Sequence, residues 1–202
     1  MGLFSKFFKS KPAKTGQSQK SNDRGKYMPE IKLPIDEKFT INFKGNGGKF
    51  LYCENTNEID TYLNNIIEEN NWHKKKAFVF DPILLEKLKN TGIKTTTIIS
   101  ESSYFITTCE NLIANDGSLL ISSNQIAEKK LIELPDNFIV YATTSQITDN
   151  IGEGLRGIKA KNKNKIPTNI TTIKNFKTVD EKDFLNYGSS SKNLYLLLLE
   201  DL

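Results

Sequence analysis

Between Lys49 and Ile99, short apolar runs alternate with stretches of helical periodicity, and this alternation constrains the fold of the 202-residue chain more than any other feature. Lys49 to Cys53 reads as a first strand. Asn55 follows as a helix N-cap with Glu58 three residues on, and Ile59, Leu63, Ile66 and Ile67 repeat at helical spacing. Ala77 to Phe80 reads as a buried strand. Asp81-Pro82 supplies a cap and a first-turn proline for a helix whose inner face is Leu84, Leu85 and Leu88. Thr95 to Ile99, rich in β-branched residues, reads as a third strand. Strands joined through helices pair in parallel, because the helix carries the chain back to the end where it started. The expectation is an α/β domain with a mainly parallel sheet.

Upstream, Asp36 to Phe43 predicts a short helix ending at Gly45. Downstream, a short strand or turn near Phe105-Ile106 leads to Leu119 to Ile121, expected as a central strand. Leu131 to Glu133 is expected as an edge strand, and Phe138 to Tyr141, Thr168 to Ile173 and Leu194 to Leu199 as further strands. Ile147, Ile151, Leu155 and Ile158 predict an amphipathic helix over Ser145 to Ala160, closed by a lysine-rich run that suits a helix C-terminus. These later strands lack helices between them, which predicts an antiparallel excursion at one edge of the sheet.

Residues 1 to 28 read as a separate segment. Their lysines and arginine face only Asp23, and Lys11 to Gln19 has linker composition, too polar to bury itself. Leu3, Phe4, Phe7 and Phe8 share one side of a short basic turn that can meet a membrane surface or a partner groove. Without this segment the net charge of +4 falls close to zero, which argues against a nucleic-acid binder. No apolar stretch approaches the ~20 residues that span a bilayer. With two cysteines, Cys53 and Cys109, and one histidine, His73, neither a structural zinc site nor a four-thiolate cluster can be built. The thiols are expected to be reduced, in a cytoplasmic protein that holds no metal.

Candidate chemistry centres on Asn115-Asp116-Gly117-Ser118, a polar turn between two apolar runs. Gly tolerates positive φ and Asp bonds its own backbone, so the turn is tight and rich in N–H groups. Open α/β proteins place ligands at the C-terminal ends of their strands. On that rule Glu54, Asp81 and Asp116 would edge one crevice beside Ser118, where carboxylates can move protons or hold a hydroxylated substrate. Asn55 and Asp81 have capping work, which leaves Glu54 and Asp116 freer. Gly45, Gly47 and Gly48 suggest a phosphate loop, but they follow a helix and precede a strand, the wrong side for that device. Ser118 has no visible base, since His73 sits in a polar loop, and Cys109 has no cation to lower its pKa.

Several segments in order along the chain resemble the LUD domain family, which includes lactate-utilisation protein C. Ile113-Ala114-Asn115-Asp116-Gly117-Ser118-Leu119 resembles its signature I-A-x-T-G-[TS]-L, with Asp116 in place of Thr. Gly47-Gly48-Lys49-Phe50 resembles an early GG-x-[FV] step. Leu134-Pro135, Ile139-Val140 and Ser145-Gln146-Ile147 resemble an L-P-x-x-x-I-x-V strand and the helix after it. Thr178-Val179-Asp180 resembles the end of a G-P-S-x-T-x-D-I motif, with Lys174-Asn175-Phe176 at the Gly-Pro-Ser, and Leu194 to Asp201 resembles the closing strand. Gly188 to Ser191 replaces a G-x-H-G-P loop. The resemblance covers residues 35 to 202. It implies the three-layer α/β/α fold of sugar-phosphate isomerases, glucosamine-phosphate deaminases and CoA transferases. By family position, Lys177, Thr178 and Asp180 would close the crevice from its far side. The implied role is a cluster-free component of bacterial L-lactate oxidation that takes a small carboxylate and works with separate iron–sulfur proteins. Two other readings stay open: a stand-alone enzyme of this fold acting on an acyl-CoA, sugar phosphate or folate, and a pure interaction module.

Overall fold

The computed structural model describes residues 33–176 and 192–201. The tail over residues 1 to 28 and the residues Lys177, Thr178, Asp180 and Gly188 to Ser191 lie outside them.

The helix–strand alternation builds the expected parallel sheet. Helix α1 (Ile35–Gly45) leads into β1 (Lys49–Cys53), α2 (Thr56–Glu69), β2 (Lys76–Phe78), α3 (Pro82–Leu88) and β3 (Thr95–Thr96). Strands β4 (Ser102–Thr108), β7 (Asn137–Thr143) and β10 (Asn193–Leu199) complete a six-stranded sheet in the order β1-β10-β7-β4-β2-β3, with every pairing parallel. The caps do what the sequence suggests. Asn55 Oδ1 accepts from Glu58 N–H at 3.2 Å, and Asp81 Oδ1 accepts from Ile83 N–H at 2.8 Å.

Side-chain alternation gives this sheet two buried faces. Leu63, Ile66 and Ile67 of α2 and Leu84 and Leu88 of α3 pack with Tyr104, Ile106, Ile139 and Leu197 on one face. The other face is aromatic: Phe78, Phe105 and Phe138 form a row, and α1 brings Phe43 to within 6.5 Å of the Phe50 ring. Both faces are covered, as a parallel sheet requires.

The remaining strands are β5 (Asn111–Ile113), β6 (Ser118–Ile121), β8 (Ile147–Thr148) and β9 (Thr171–Ile173). They form a second, mixed sheet in the order β8-β5-β6-β9. The antiparallel part is therefore a sheet of its own, and Leu119 to Ile121 lies inside it and not at the centre of the main sheet. The central position instead goes to β4, seven residues long where a short strand or turn was expected. Leu131 to Glu133 is a 3-10 turn and not an edge strand, because the Glu133 carboxylate accepts the Lys130 N–H at 2.6 Å while Glu133 N–H bonds Lys130 C=O. Strand β3 stops early because Thr96 Oγ1 accepts the Ile98 N–H at 3.1 Å, a local turn that competes with the sheet.

Short α4 (Ser123–Ile126) follows β6, and α5 spans Ile151–Lys161. Helix α5 begins six residues later than the apolar spacing predicts, at the cap Asn150, which accepts from Glu153 N–H at 3.0 Å. Ile147 belongs to β8, and Leu155 stays 41% exposed. The helix docks through Gly154, where a Cβ would lie 2.8 Å from Leu120 Cδ1, and through Ile158 of the expected stripe, which packs with Ile113 and Leu120. Among the described residues no helix is long and apolar enough to cross a membrane.

Candidate functional site

The glycines before β1 are a helix terminus. Gly47 N–H donates to Lys44 C=O at 2.9 Å and Gly48 N–H to Phe43 C=O at 3.0 Å. Gly47 takes φ 90°, and a Cβ on Gly48 would overlap the Phe43 ring at 2.4 Å. These amides satisfy the last carbonyls of α1 and are not directed at an anion.

The signature turn is bolted to α1. Asn42 Nδ2 donates to the carbonyls of Ala114 (2.8 Å) and Asn115 (3.2 Å), and Asn46 Nδ2 donates to Asp116 C=O at 2.6 Å. Lys38 Nζ donates to Asn115 Oδ1 and pairs with Asp149 at 3.0 Å. That bond, then one from Asn150, holds the Asp149 carboxyl below the usual carboxylate range. Within the turn, Asp116 Oδ1 accepts from Ser118 Oγ at 2.6 Å and Ser118 N–H at 3.1 Å, and its other oxygen lies 3.7 Å from Lys174 Nζ. Ser118 is fully buried. Helix α1 therefore offers two stripes at a spacing of four: Phe39 and Phe43 toward the main sheet, and Lys38, Asn42 and Asn46 toward the turn. The polar stripe was present in the sequence and could have announced a docked second face.

This placement separates Asp116 from Glu54. Asn46, bonded to Asp116, precedes β1, while Glu54 follows its last residue, and five strand residues span about 16 Å. The common rim expected for Glu54, Asp116 and Ser118 is not formed, because the turn belongs to the second sheet.

What does gather at the C-terminal rim of the main sheet is a different set. Tyr52 has Glu200, Glu54 and Asp36 as neighbours. Burial first, then the hydrogen bond and charge of Glu200, then Glu54 and Asp36, push the Tyr52 phenol well above its ordinary value, so it stays protonated. Two carboxylates beside a protonated phenol can take up and return a proton. At the end of β7, the Thr144–Gln146 turn binds the Asp201 carboxylate: Thr144 Oγ1 (2.8 Å) and Ser145 N–H (2.9 Å) donate to Oδ1, and Ser145 Oγ (2.7 Å) donates to Oδ2. At the end of β4, Glu110 accepts from Ser122 Oγ at 2.6 Å and Asn124 Nδ2 at 2.8 Å. Sequence reasoning missed Tyr52, Glu200 and Asp201, because only the strand order brings β10 beside β1 and β7.

Desolvation opposes ionisation of Asp201, but the donors from Ser145, Thr144 and Thr143 outweigh it and hold its pKa at about 2. A carboxyl depressed below its unfolded value of about 4 contributes stability above that value and loses it as pH falls through the folded one. The stability advantage over Asp201→Asn is therefore expected to be full above about pH 4 and to shrink toward pH 2. Urea midpoints of the two proteins across that window check this, and a gap that grows on acidification would refute it.

Neither thiol is a nucleophile. Burial, then Glu58, pushes Cys53 up to about 12. Burial, then Glu110, raises Cys109 against a smaller opposing effect of Lys161. Strands β1 and β4 stand three positions apart in the sheet, about 14 Å, so the two cysteines cannot bridge. Among the described residues no group of three or more His, Cys, Asp or Glu side chains could hold a metal ion.

A crystal structure of a DUF162 family protein from Deinococcus radiodurans is similar to this chain at 12% identity, over 83% of this chain and 96% of that one, with a TM-score of 0.57. At that identity the likeness is one of fold. No curated protein matches the chain. A family model described as the LUD domain matches residues 37–199. The chain belongs to the LUD domain family.

Proposed function

We propose that this chain is the cluster-free component of a bacterial L-lactate utilisation system and works with separate iron–sulfur proteins to convert lactate to pyruvate. The observation that carries the reading is the family match over residues 37–199, in a chain with only two cysteines, both buried. Oxidation of lactate releases two electrons and two protons. The electrons need an acceptor, and in this reading four-thiolate clusters on the partner proteins supply it, since this chain has only two cysteines. The protons require a base near the substrate, and among the described residues the Glu200, Glu54 and Tyr52 corner offers carboxylates for that work.

Reconstitution tests this. The purified chain alone is expected to be inert with L-lactate, and the chain mixed with cysteine-rich proteins encoded beside it should reduce an electron-accepting dye in a lactate-dependent way. Omitting the chain should abolish the signal. Turnover of an acyl-CoA, sugar phosphate or folate by the chain alone would overturn the proposal in favour of a stand-alone enzyme.

A further inference from the structure

A groove of about 660 Å³ runs along the second sheet and reaches the signature turn at one end, where its lining residue Lys174 lies 3.7 Å from Asp116. Strand β9 gives Thr171, Thr172 and Ile173 to its wall in succession. Successive side chains of a strand point to opposite faces, so three in a row line a cavity only where it opens along the strand's edge. The backbone pattern agrees. Leu120, opposite Thr172, turns its carbonyl toward β5, where Glu110 N–H donates to it at 2.8 Å. Leu120 therefore does not bond β9, and Thr172 presents its N–H and C=O outward, into the groove. No other described strand pairs with β9 on that side.

An exposed, unpaired edge is a template for another strand. The opposite wall is apolar, with Ile126, Leu131 and Ile132, the last 79% exposed despite its size. The ionisable side chains among the described lining residues are Lys129, Lys130 and Lys174, all cationic. We infer that this groove docks an extended, acidic segment of a partner protein, which adds to β9 as a fifth strand, sets alternate apolar side chains against Ile132 and pairs its carboxylates with Lys129 and Lys130, while Lys174, already beside Asp116, adds its charge to the field. The inference stands whether or not that partner serves lactate oxidation.

The test uses the full chain and a fluorescent octapeptide that alternates Glu or Asp with Val or Ile, beside the same peptide with Lys at each acidic position. The acidic peptide is expected to bind about tenfold tighter than the basic one and to weaken about tenfold or more in ~0.5 M salt. Thr172→Pro removes the outward N–H, a change that an edge strand tolerates, and should cost about tenfold in peptide affinity with the melting temperature kept. Thr172→Val should bind as the parent does. Should the proline variant not fold, Lys129→Ala with Lys174→Ala carries the test through the loss of salt dependence. Equal binding of both peptides, equal binding to Thr172→Pro and parent, or no binding at about 1 mM would overturn the inference. Two other occupants would overturn it as well. Dimerisation of the parent that Thr172→Pro abolishes would assign the edge to a second copy. Binding that emerges only when residues 177–191 are exchanged for a Gly/Ser run would assign it to the chain itself.

Discussion

Gly117→Ala is expected to destabilise the domain by about 3 kcal/mol or more, enough to unfold much of it. Two effects add at this residue. Its φ of 67° lies where a side chain is strained, worth about 1 kcal/mol. A Cβ there would also stand 2.3 Å from both the Asn42 carbonyl carbon and the Phe43 nitrogen, which are main-chain atoms of α1 with no rotamer to retreat into. The turn would have to leave the helix, and the Asn42 and Asn46 bonds to it would be lost. Gly92→Ala separates the two effects, since Gly92 has φ 75° with nothing within 4 Å of the added Cβ. It should cost only the ~1 kcal/mol of strain. Urea titrations of both variants give the comparison, and equal losses would show that the close approach to α1 contributes nothing.

Phe105→Ala is expected to cost about 3–5 kcal/mol. Phe105 is fully buried on the central strand, 5.1 Å from the ring of Phe78 and 5.1 Å, edge to face, from that of Phe138. Truncation removes a large apolar side chain, both ring contacts and the filling of a space walled by strands that cannot collapse inward. Phe80 is the control, because it is 40% exposed just past β2, and Phe80→Ala should cost less than about 1 kcal/mol. The urea midpoint should fall for Phe105→Ala with an unchanged slope. Similar losses at the two sites would place the aromatic row outside the stabilising core.

From Asp36 to Ile99 the chain could be read element by element because its signals are local. Asn55 and Asp81 cap the helices that follow them, and Leu84 and Leu88 face inward at the spacing expected. Past Phe105 the strand signals at Phe138 to Tyr141 and Leu194 to Leu199 hold, but the helix signal misleads. The spacing of Ile147, Ile151, Leu155 and Ile158 describes a helix face, yet Ile147 pairs as a strand with Leu112, and Gly154 makes the closest approach. A glycine at a packing site leaves no apolar signal to read.

The candidate site followed the same division. Glu54 sits where strand-end logic puts it, after β1, but Tyr52 beside it takes Glu200 from the end of β10, the last described strand and a neighbour of the first. Asp116 and Ser118 keep the tight turn that their residue types demand and use it to join α1 to the second sheet.

By itself the sequence determined the parallel α/β class, the helix caps, the glycine terminus of α1 and the tight turn at Gly117. Each depends on residues within a few positions of one another. Only the tertiary structure decided the strand order, the separate second sheet, the open edge at Thr172 and the company that each carboxylate keeps. Those depend on which apolar faces pack best across the whole chain, and periodicity within one segment carries no record of its distant partners.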